Sequence, residues 1–157
     1  MKKIVMVSIL ALMGSAFAAG KTYILGSSGA DANFVTDGKG NATFGVNLGL
    51  GQEKFLGDFD GRLEAGFGVV GGAFGFGVSA DLLYPFGKGD VKPYIGAGLG
   101  FDVFNNNTAF VLRGDLGADF EFTKTASFFA ELNPNIVFAG GDNAVNLSGR
   151  VGLKVFF

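Results

Sequence analysis

Apolar and polar side chains alternate along the last thirteen residues of the chain, VNLSGRVGLKVFF. One set of alternate positions is apolar with a single exception, and its members are Val145, Leu147, Val151, Leu153, Val155 and Phe157. The positions between them are mostly polar, charged or glycine. Successive side chains of a β-strand point to opposite faces, so this period of two predicts a strand with one apolar and one polar face.

The same alternation recurs in earlier segments of the chain. They are ATFGVNLGL (42–50), DFDGRLEAGFGV (58–69), AFGFGVSADLLY (73–84), VKPYIGAGLGFDV (91–103), FVLRGDLGADFEF (110–122) and SFFAELNPNIVF (127–138). A less regular segment, KTYILGSS at Lys21–Ser28 with an extension to Val35, gives an eighth strand. Helices are disfavoured, because the apolar residues do not recur at three and four and because glycine interrupts nearly every segment.

Clusters of Gly, Asn and Asp separate the predicted strands. One set of connections falls at 36–41, 70–72, 105–108 and 140–143, and the alternate set falls at 52–57, 86–90 and 123–125. These residue types favour turns. Because the strands follow one another closely, the sequence predicts an antiparallel up-and-down meander.

The alternation fits either a soluble sandwich or a membrane barrel, and three features favour the barrel. The alternating segments are longer than the ~5–6 residues of an average strand and match the ~9–11 needed to cross hydrocarbon. The polar face is rich in glycine, which suits the narrow lumen of an eight-stranded barrel. Eight strands also close without an unpaired edge. We therefore predict an all-β, eight-stranded antiparallel up-and-down transmembrane β-barrel whose first strand pairs with the last.

The terminal Phe157 with Val151, Leu153 and Val155, together with VKPYIGAGLGFDV, resembles a known family. This family comprises the small eight-stranded bacterial outer-membrane β-barrels of the OmpX-like or OmpA-transmembrane-domain-like type. The resemblance implies that these four residues form an assembly signal. It also implies contact with outer-membrane lipid, with the outer-membrane assembly machinery and with periplasmic chaperones during biogenesis. Trp is absent and Tyr scarce, so Phe is expected to replace the usual interfacial Trp and Tyr.

The first eighteen residues have the pattern of a secretory signal peptide. Lys2 and Lys3 precede an apolar stretch, and Ala16-Phe17-Ala18 fits cleavage after Ala18. The prediction is a cleaved segment 1–18 and an outer-membrane barrel domain 19–157. The remaining chain carries ten basic and fourteen acidic side chains, which argues against nucleic-acid binding. Its short external connections argue against an adhesin, and we expect a monomer.

The polar set of alternate positions, which we call the polar parity, carries charges that would face the lumen of a barrel. There are five basic and eight acidic positions, namely Asp60, Arg62, Glu64, Asp81, Lys92, Asp102, Arg113, Asp115, Asp119, Glu121, Glu131, Arg150 and Lys154. Charges in a poorly hydrated bore have to pair. We predict a central ion-pair network formed by the mid-strand residues Arg62, Glu64, Arg113, Glu131 and Arg150. Such a network either plugs the bore or gates a narrow pore, and in a plug an Arg113→Ala change is expected to raise conductance.

No residue pattern points to catalysis. The chain lacks His, which the usual hydrolytic sites of outer-membrane enzymes need as a general base. The glycines at Gly96–Gly100 lack the following helix of a phosphate loop, and there is neither a Cys/His cluster nor EF-hand spacing. We predict no enzyme, no cofactor and no metal. The function predicted is a structural role in the cell envelope, with a narrow pore for water, ions or small solutes and a soluble exported barrel for a lipid-like ligand as alternatives.

Overall fold

The computed structural model describes residues 20–34, 42–70, 73–87, 89–104, 107–140 and 142–157. They form the strands β1 (Thr22–Phe34), β2 (Ala42–Leu56), β3 (Phe59–Val70), β4 (Ala73–Pro85), β5 (Val91–Phe104), β6 (Asn107–Thr123), β7 (Ala126–Ala139) and β8 (Asp142–Phe156). The predicted signal segment 1–18 and the predicted connection 36–41 lie outside the described residues. Within the described part of the chain, no helix is long and apolar enough to cross a membrane.

The strands form one closed antiparallel barrel. Each strand pairs with the next, and β1 closes on β8 from Tyr23↔Phe156 to Phe34↔Val145. The predicted eight-stranded up-and-down topology is therefore confirmed. The strands contain 12 to 17 residues, enough to cross hydrocarbon at a tilt. Closure leaves no edge strand, so the backbone groups are paired within the sheet, as a lipid environment requires.

The barrel has two ends, which we name by their connections. The turn end holds Thr22, Phe156 and the two-residue turns 57–58 and 124–125. Gly57 in the first of these turns has a φ of 65°, a conformation that glycine adopts without steric cost. The loop end lies opposite, where β1 finishes at Phe34 and β5 at Phe104.

Several predicted connections are too long, and the one at 52–57 is wrong over most of its length. Strand β2 continues to Leu56 through a bulge that follows Gln52. Lys54 has a φ of 53° there, and its backbone N–H donates to Asp60 Oδ1 at 2.8 Å. This bond holds the bulge, and pairing resumes at Leu56↔Phe59. At other connections, some residues predicted as turns belong to strands in the structure. They are Val70, Asn107, Thr108, Thr123, Asp142 and Asn143.

The distribution of side chains is inverted relative to a soluble protein. Along β8, Val151, Leu153 and Val155 are exposed on the outer wall, whereas Arg150 and Lys154 are buried in the lumen. On β2, Leu48 is 65% exposed. A wall of exposed Leu, Val, Ile and Phe around a buried charged interior is the pattern of a barrel that faces lipid. The apolar set of alternate positions therefore faces outward.

Aromatic rings pair across strands on this outer wall. Ring centroids lie 5.3 Å apart in Phe101–Phe110, 5.4 Å apart in Phe59–Tyr84 and 6.2 Å apart in Phe120–Phe128. The first pair lies towards the loop end and the other two lie towards the turn end. Phenylalanine therefore supplies most of the rings at both ends of the apolar wall.

Glycine lies opposite most of the large side chains that fill the lumen. Tyr23 pairs with Gly51 across β1 and β2, and a Cβ at Gly51 would overlap the Tyr23 ring. Tyr94 pairs in the same way with Gly117, where a Cβ would lie 2.6 Å from the ring. Each ring thus lies flat across the neighbouring strand, because the glycine has no side chain to displace it. This pairing allows large groups to fit inside a narrow barrel.

Candidate functional site in the barrel lumen

Arg62 of β3 lies at the centre of a buried cluster of charges. Its side chain has no exposed area, and its guanidinium nitrogens contact four carboxylates. The distances are 2.7 Å to Glu64, 3.1 Å to Asp81, 2.9 Å to Asp115 and 2.7 Å to Glu131. A guanidinium has five N–H donors in a planar fork, so one Arg can bind carboxylates that arrive from several strands. Here it joins β3, β4, β6 and β7 across the bore.

Arg150 of β8 completes the cluster. It lies 2.5 Å from Glu64 Oε2 and 2.5 Å from Glu131 Oε1. The hydroxyl of Tyr94 donates to Glu131 Oε2 at 2.7 Å, and Asn133 Nδ2 donates to Glu131 Oε1 at 2.6 Å. Glu131 is therefore bound from several directions. We call the residues Arg62, Glu64, Asp81, Asp115, Glu131 and Arg150 the charged layer.

Arg113 lies at the margin of the charged layer. Its Nη1 donates to Ser79 Oγ at 2.7 Å, and its Nε is 3.7 Å from Asp81 Oδ1. Its side chain is 17% exposed, in contrast to that of Arg62. Of the five residues predicted from the sequence, the structure brings four together, and they are Arg62, Glu64, Glu131 and Arg150. Asp81 and Asp115, which the sequence placed on the inward face without a central role, contact Arg62 directly.

The charged layer is a buried ion-pair network. Its carboxylates are held by arginines, and removing either partner would leave a buried charge without compensation, which is strongly unfavourable. Among the described residues, no group of three His, Cys, Asp or Glu side chains has the arrangement of a metal site. The sequence contains no His to act as a general base at neutral pH.

A second layer of side chains lies between the charged layer and the turn end. Lys154 Nζ is 2.7 Å from Asp119 Oδ2 and lies over three aromatic rings. The distances to the ring centroids are 5.0 Å for Tyr23, 5.1 Å for Tyr94 and 5.4 Å for Phe129. These separations are those of cation–π contacts. We call these five residues the aromatic layer. No local sequence pattern predicts this layer, because its members come from β1, β5, β6, β7 and β8.

The lumen between the charged layer and the loop end is open. A cavity of about 490 Å³ occupies this part of the barrel, and Glu64, Arg113 and Arg150 form part of its lining. Many of the other lining residues are glycines of the inward parity. The bore is thus a polar vestibule that ends on the charged layer, with the aromatic layer behind it.

Comparison with known proteins gives matches in structure only. No family model matches the sequence, and no curated protein matches it either. Neisserial surface protein A superposes with a TM-score of 0.73 at 16% identity, covering 87% of this chain and 97% of that one. The N-terminal barrel domain of Pseudomonas aeruginosa OprF superposes with a TM-score of 0.60 at 17% identity, covering 88% and 99%.

The outer membrane enzyme PagL superposes with a TM-score of 0.62 at 18% identity, covering 85% of this chain and 98% of PagL. One of the similar structures is thus an enzyme, so the fold by itself does not decide between catalytic and non-catalytic roles. All three similarities cover nearly the whole of the compared barrel. The chain has the fold of the small eight-stranded transmembrane barrels that are found among outer-membrane proteins.

Proposed function

We propose that the chain is a monomeric integral protein of the outer membrane with a structural role in the cell envelope. In this proposal, segment 1–18 directs export, and the last strand is the signal for the assembly machinery after passage with periplasmic chaperones. The residues of that signal are Val151, Leu153, Val155 and Phe157. The exposed apolar wall supports insertion into lipid. We assign no catalytic residue, cofactor or metal.

The observation that carries the proposal is the burial of two layers of paired charges in the lumen. The side chain of Arg62 in the charged layer is fully buried, and that of Lys154 in the aromatic layer is 3% exposed. An ion that crossed the bore would have to displace both sets of paired charges and lose its own hydration, which costs several kcal/mol per ion. Two consecutive barriers of this kind support a plug.

A narrow pore is the second candidate, and the vestibule is the observation that favours it. The cavity of about 490 Å³ already opens half of the lumen, and Arg113 at its floor is held by one hydrogen bond and a loose ion pair. Only the two layers separate this space from the turn end. A rearrangement of both layers would connect the two sides of the membrane.

Conductance across planar lipid bilayers separates the two candidates. We expect the native barrel to be silent. The variant Arg62→Ser/Glu131→Ser opens the charged layer alone, and Lys154→Ser/Phe129→Ser opens the aromatic layer alone, so each should remain silent. The four changes together should conduct. Arg113→Ser is the matched control. The sequence placed Arg113 in the central network, for which its truncation was expected to raise conductance, but its side chain lies at the margin of the charged layer, so we now expect this variant to stay silent too.

Each variant is first checked for a heat-dependent shift in gel mobility, which reports a closed barrel. Steady conductance of the native protein would refute the plug and establish the pore. Silence of the folded four-residue variant would show that something other than these two layers closes the bore. Recovery of the native protein in buffer after lysis without detergent would refute the membrane assignment.

A further inference from the structure

The vestibule exists because four glycines lie side by side on the inner wall. Gly29 pairs with Gly45, Gly45 with Gly68, and Gly68 with Gly75, so the row crosses β1 to β4 without a side chain. All four line the cavity of about 490 Å³. This volume lies in the range of about 300–1,000 Å³ that is typical of small-molecule sites. The cavity is therefore large enough for a small ligand.

The opposite wall of the vestibule is rich in amide groups with spare hydrogen-bonding capacity. Asn135 of β7 and Asn146 of β8 are direct cross-strand neighbours. Asn135 Nδ2 donates to Ser148 Oγ at 2.9 Å, and Ser148 Oγ in turn donates to the carbonyl of Asn133 at 3.3 Å. Because the single hydroxyl proton of Ser148 is used there, Ser148 Oγ accepts from Asn135. The amide nitrogen of Asn135 is thereby assigned to that side, and its oxygen is left as a free acceptor.

The amide oxygens of Asn133, Asn135 and Asn146 have no hydrogen-bond partner among the described residues. Asn133 is 1% exposed and lines the vestibule, so its oxygen is an unpartnered acceptor in a buried wall. The oxygens are shielded from solvent, and a ligand would reach those of Asn135 and Asn146 by rotation about χ2, a broad and soft torsion in Asn. Unsatisfied buried acceptors are unusual and call for an explanation.

The charges and the aromatic group of the vestibule restrict the class of ligand. Arg113 and Arg150 are balanced by Glu64 and Asp102, so the lining favours neither anions nor cations. Phe104 lines the cavity near its mouth, and its ring lies across Gly75, where a Cβ would overlap it. The ring thus offers a flat apolar surface beside amides and hydroxyls.

We propose that the vestibule binds a small uncharged saccharide. A sugar hydroxyl donates and accepts at once, as amides do, so it matches Asn135 and Asn146. The C–H face of a sugar ring suits the negative face of the Phe104 ring. An apolar ligand would leave the amides without hydrogen-bond partners. A charged ligand would find no free opposite charge, because the charges of the lining already balance one another. The site is independent of whether the charged layer plugs the bore.

Titration by NMR tests the proposal on the barrel in lauryldimethylamine oxide, a detergent without a sugar headgroup. The probes are methyl α-D-glucoside, methyl α-D-galactoside and maltose, and the signals observed are the side-chain amides. We expect at least one probe to shift the signals of Asn135 and Asn146 in a saturable way. The double variant Asn135→Ala/Asn146→Ala should weaken binding about tenfold, as the loss of two hydrogen bonds implies. Ala144→Trp, which fills the vestibule, should abolish it.

Asn143→Ala is the matched control, because Asn143 lies on the same strand but in the outward parity and is exposed. It should bind the probes as the native barrel does. The proposal is overturned if none of these neutral sugars gives a saturable shift, or if methyl α-L-glucoside binds as well as methyl α-D-glucoside. It is also overturned if glucuronate or glycine binds where the neutral sugars do not. Unchanged affinity in the folded double variant would equally refute it.

Discussion

Replacing Arg62 by Met should be among the most damaging substitutions in this barrel. The change keeps an unbranched side chain of similar length but removes every contact to Glu64, Asp81, Asp115 and Glu131. Arg150 still binds two of these carboxylates, and the other two lose their main partner. Breaking a buried ion pair from one side costs about 3–5 kcal/mol, because the remaining charge stays buried. We therefore expect the free energy of unfolding to fall by about 4 kcal/mol.

Arg113→Met is the matched control for this experiment. It makes the same chemical change on the inner wall, but Arg113 has one hydrogen bond to Ser79 and a 3.7 Å approach to Asp81, and its side chain is partly exposed. Loss of a single partly exposed hydrogen bond costs about 1 kcal/mol. The measurement is urea-induced unfolding of the barrel in lipid vesicles. Where the variants share the same dependence of the free energy of unfolding on urea concentration, the difference between their midpoints reports the difference in stability.

Repeating the Arg62→Met change in the variant Asp115→Asn separates the cost of an unpaired buried charge from the cost of lost packing. In Asp115→Asn, one carboxylate that depends on Arg62 is already neutral, so Arg62→Met should cost less there. A coupling energy of about 0.5–3 kcal/mol is expected for groups in one network. If Arg62→Met falls within 1 kcal/mol of Arg113→Met, or if the Asp115→Asn background leaves its cost unchanged, the charged layer does not hold the barrel together in the way described.

The remaining predictions concern the lumen wall and use the same unfolding measurement. Gly117→Ala should cost about 1–3 kcal/mol, because its Cβ would lie 2.6 Å from the Tyr94 ring. Gly26→Ala on the outer wall, where the nearest atom is 3.6 Å away, should be neutral or stabilise by up to about 1 kcal/mol, and equal costs at both glycines would contradict this. Asn133→Leu should cost about 2–4 kcal/mol because it removes donors to the charged layer and to the Gly114 carbonyl, and a loss below about 1 kcal/mol would refute that role.

The period of two predicted the strands and their two faces, and strand length, the glycine-rich polar face and the even number of strands predicted which face points outward. Lys154 and Val155 are neighbours in sequence, yet one is buried in the lumen and the other exposed on the wall, as the alternation requires. The limits of the connections were harder to predict. The bulge at Lys54 depends on a carboxylate from the next strand, Asp60, and no local pattern reveals that contact.

Arg113 shows why the charged layer was only partly predictable. The cross-strand row from Arg62 passes through Asp81 and Gly98 to Arg113, so sequence position and pairing both place Arg113 level with Arg62. The guanidinium of Arg62 nevertheless contacts Asp115, two residues further towards the turn end. Strands in a barrel are tilted and staggered, so groups that meet across the bore are not those on one row.

Cross-strand pairing also determines which part of the lumen is filled and which part is open. Near the turn end, a glycine faces a large ring, as Gly51 faces Tyr23, and the ring fills the bore. Near the loop end, the glycines of β1 to β4 face one another, as Gly45 faces Gly68, and a cavity remains although the Phe104 ring lies across Gly75. Glycine content alone cannot distinguish the two cases, because both halves are rich in it. The partner across the strand makes one half filled and the other open, so the register carries structural information that the composition lacks.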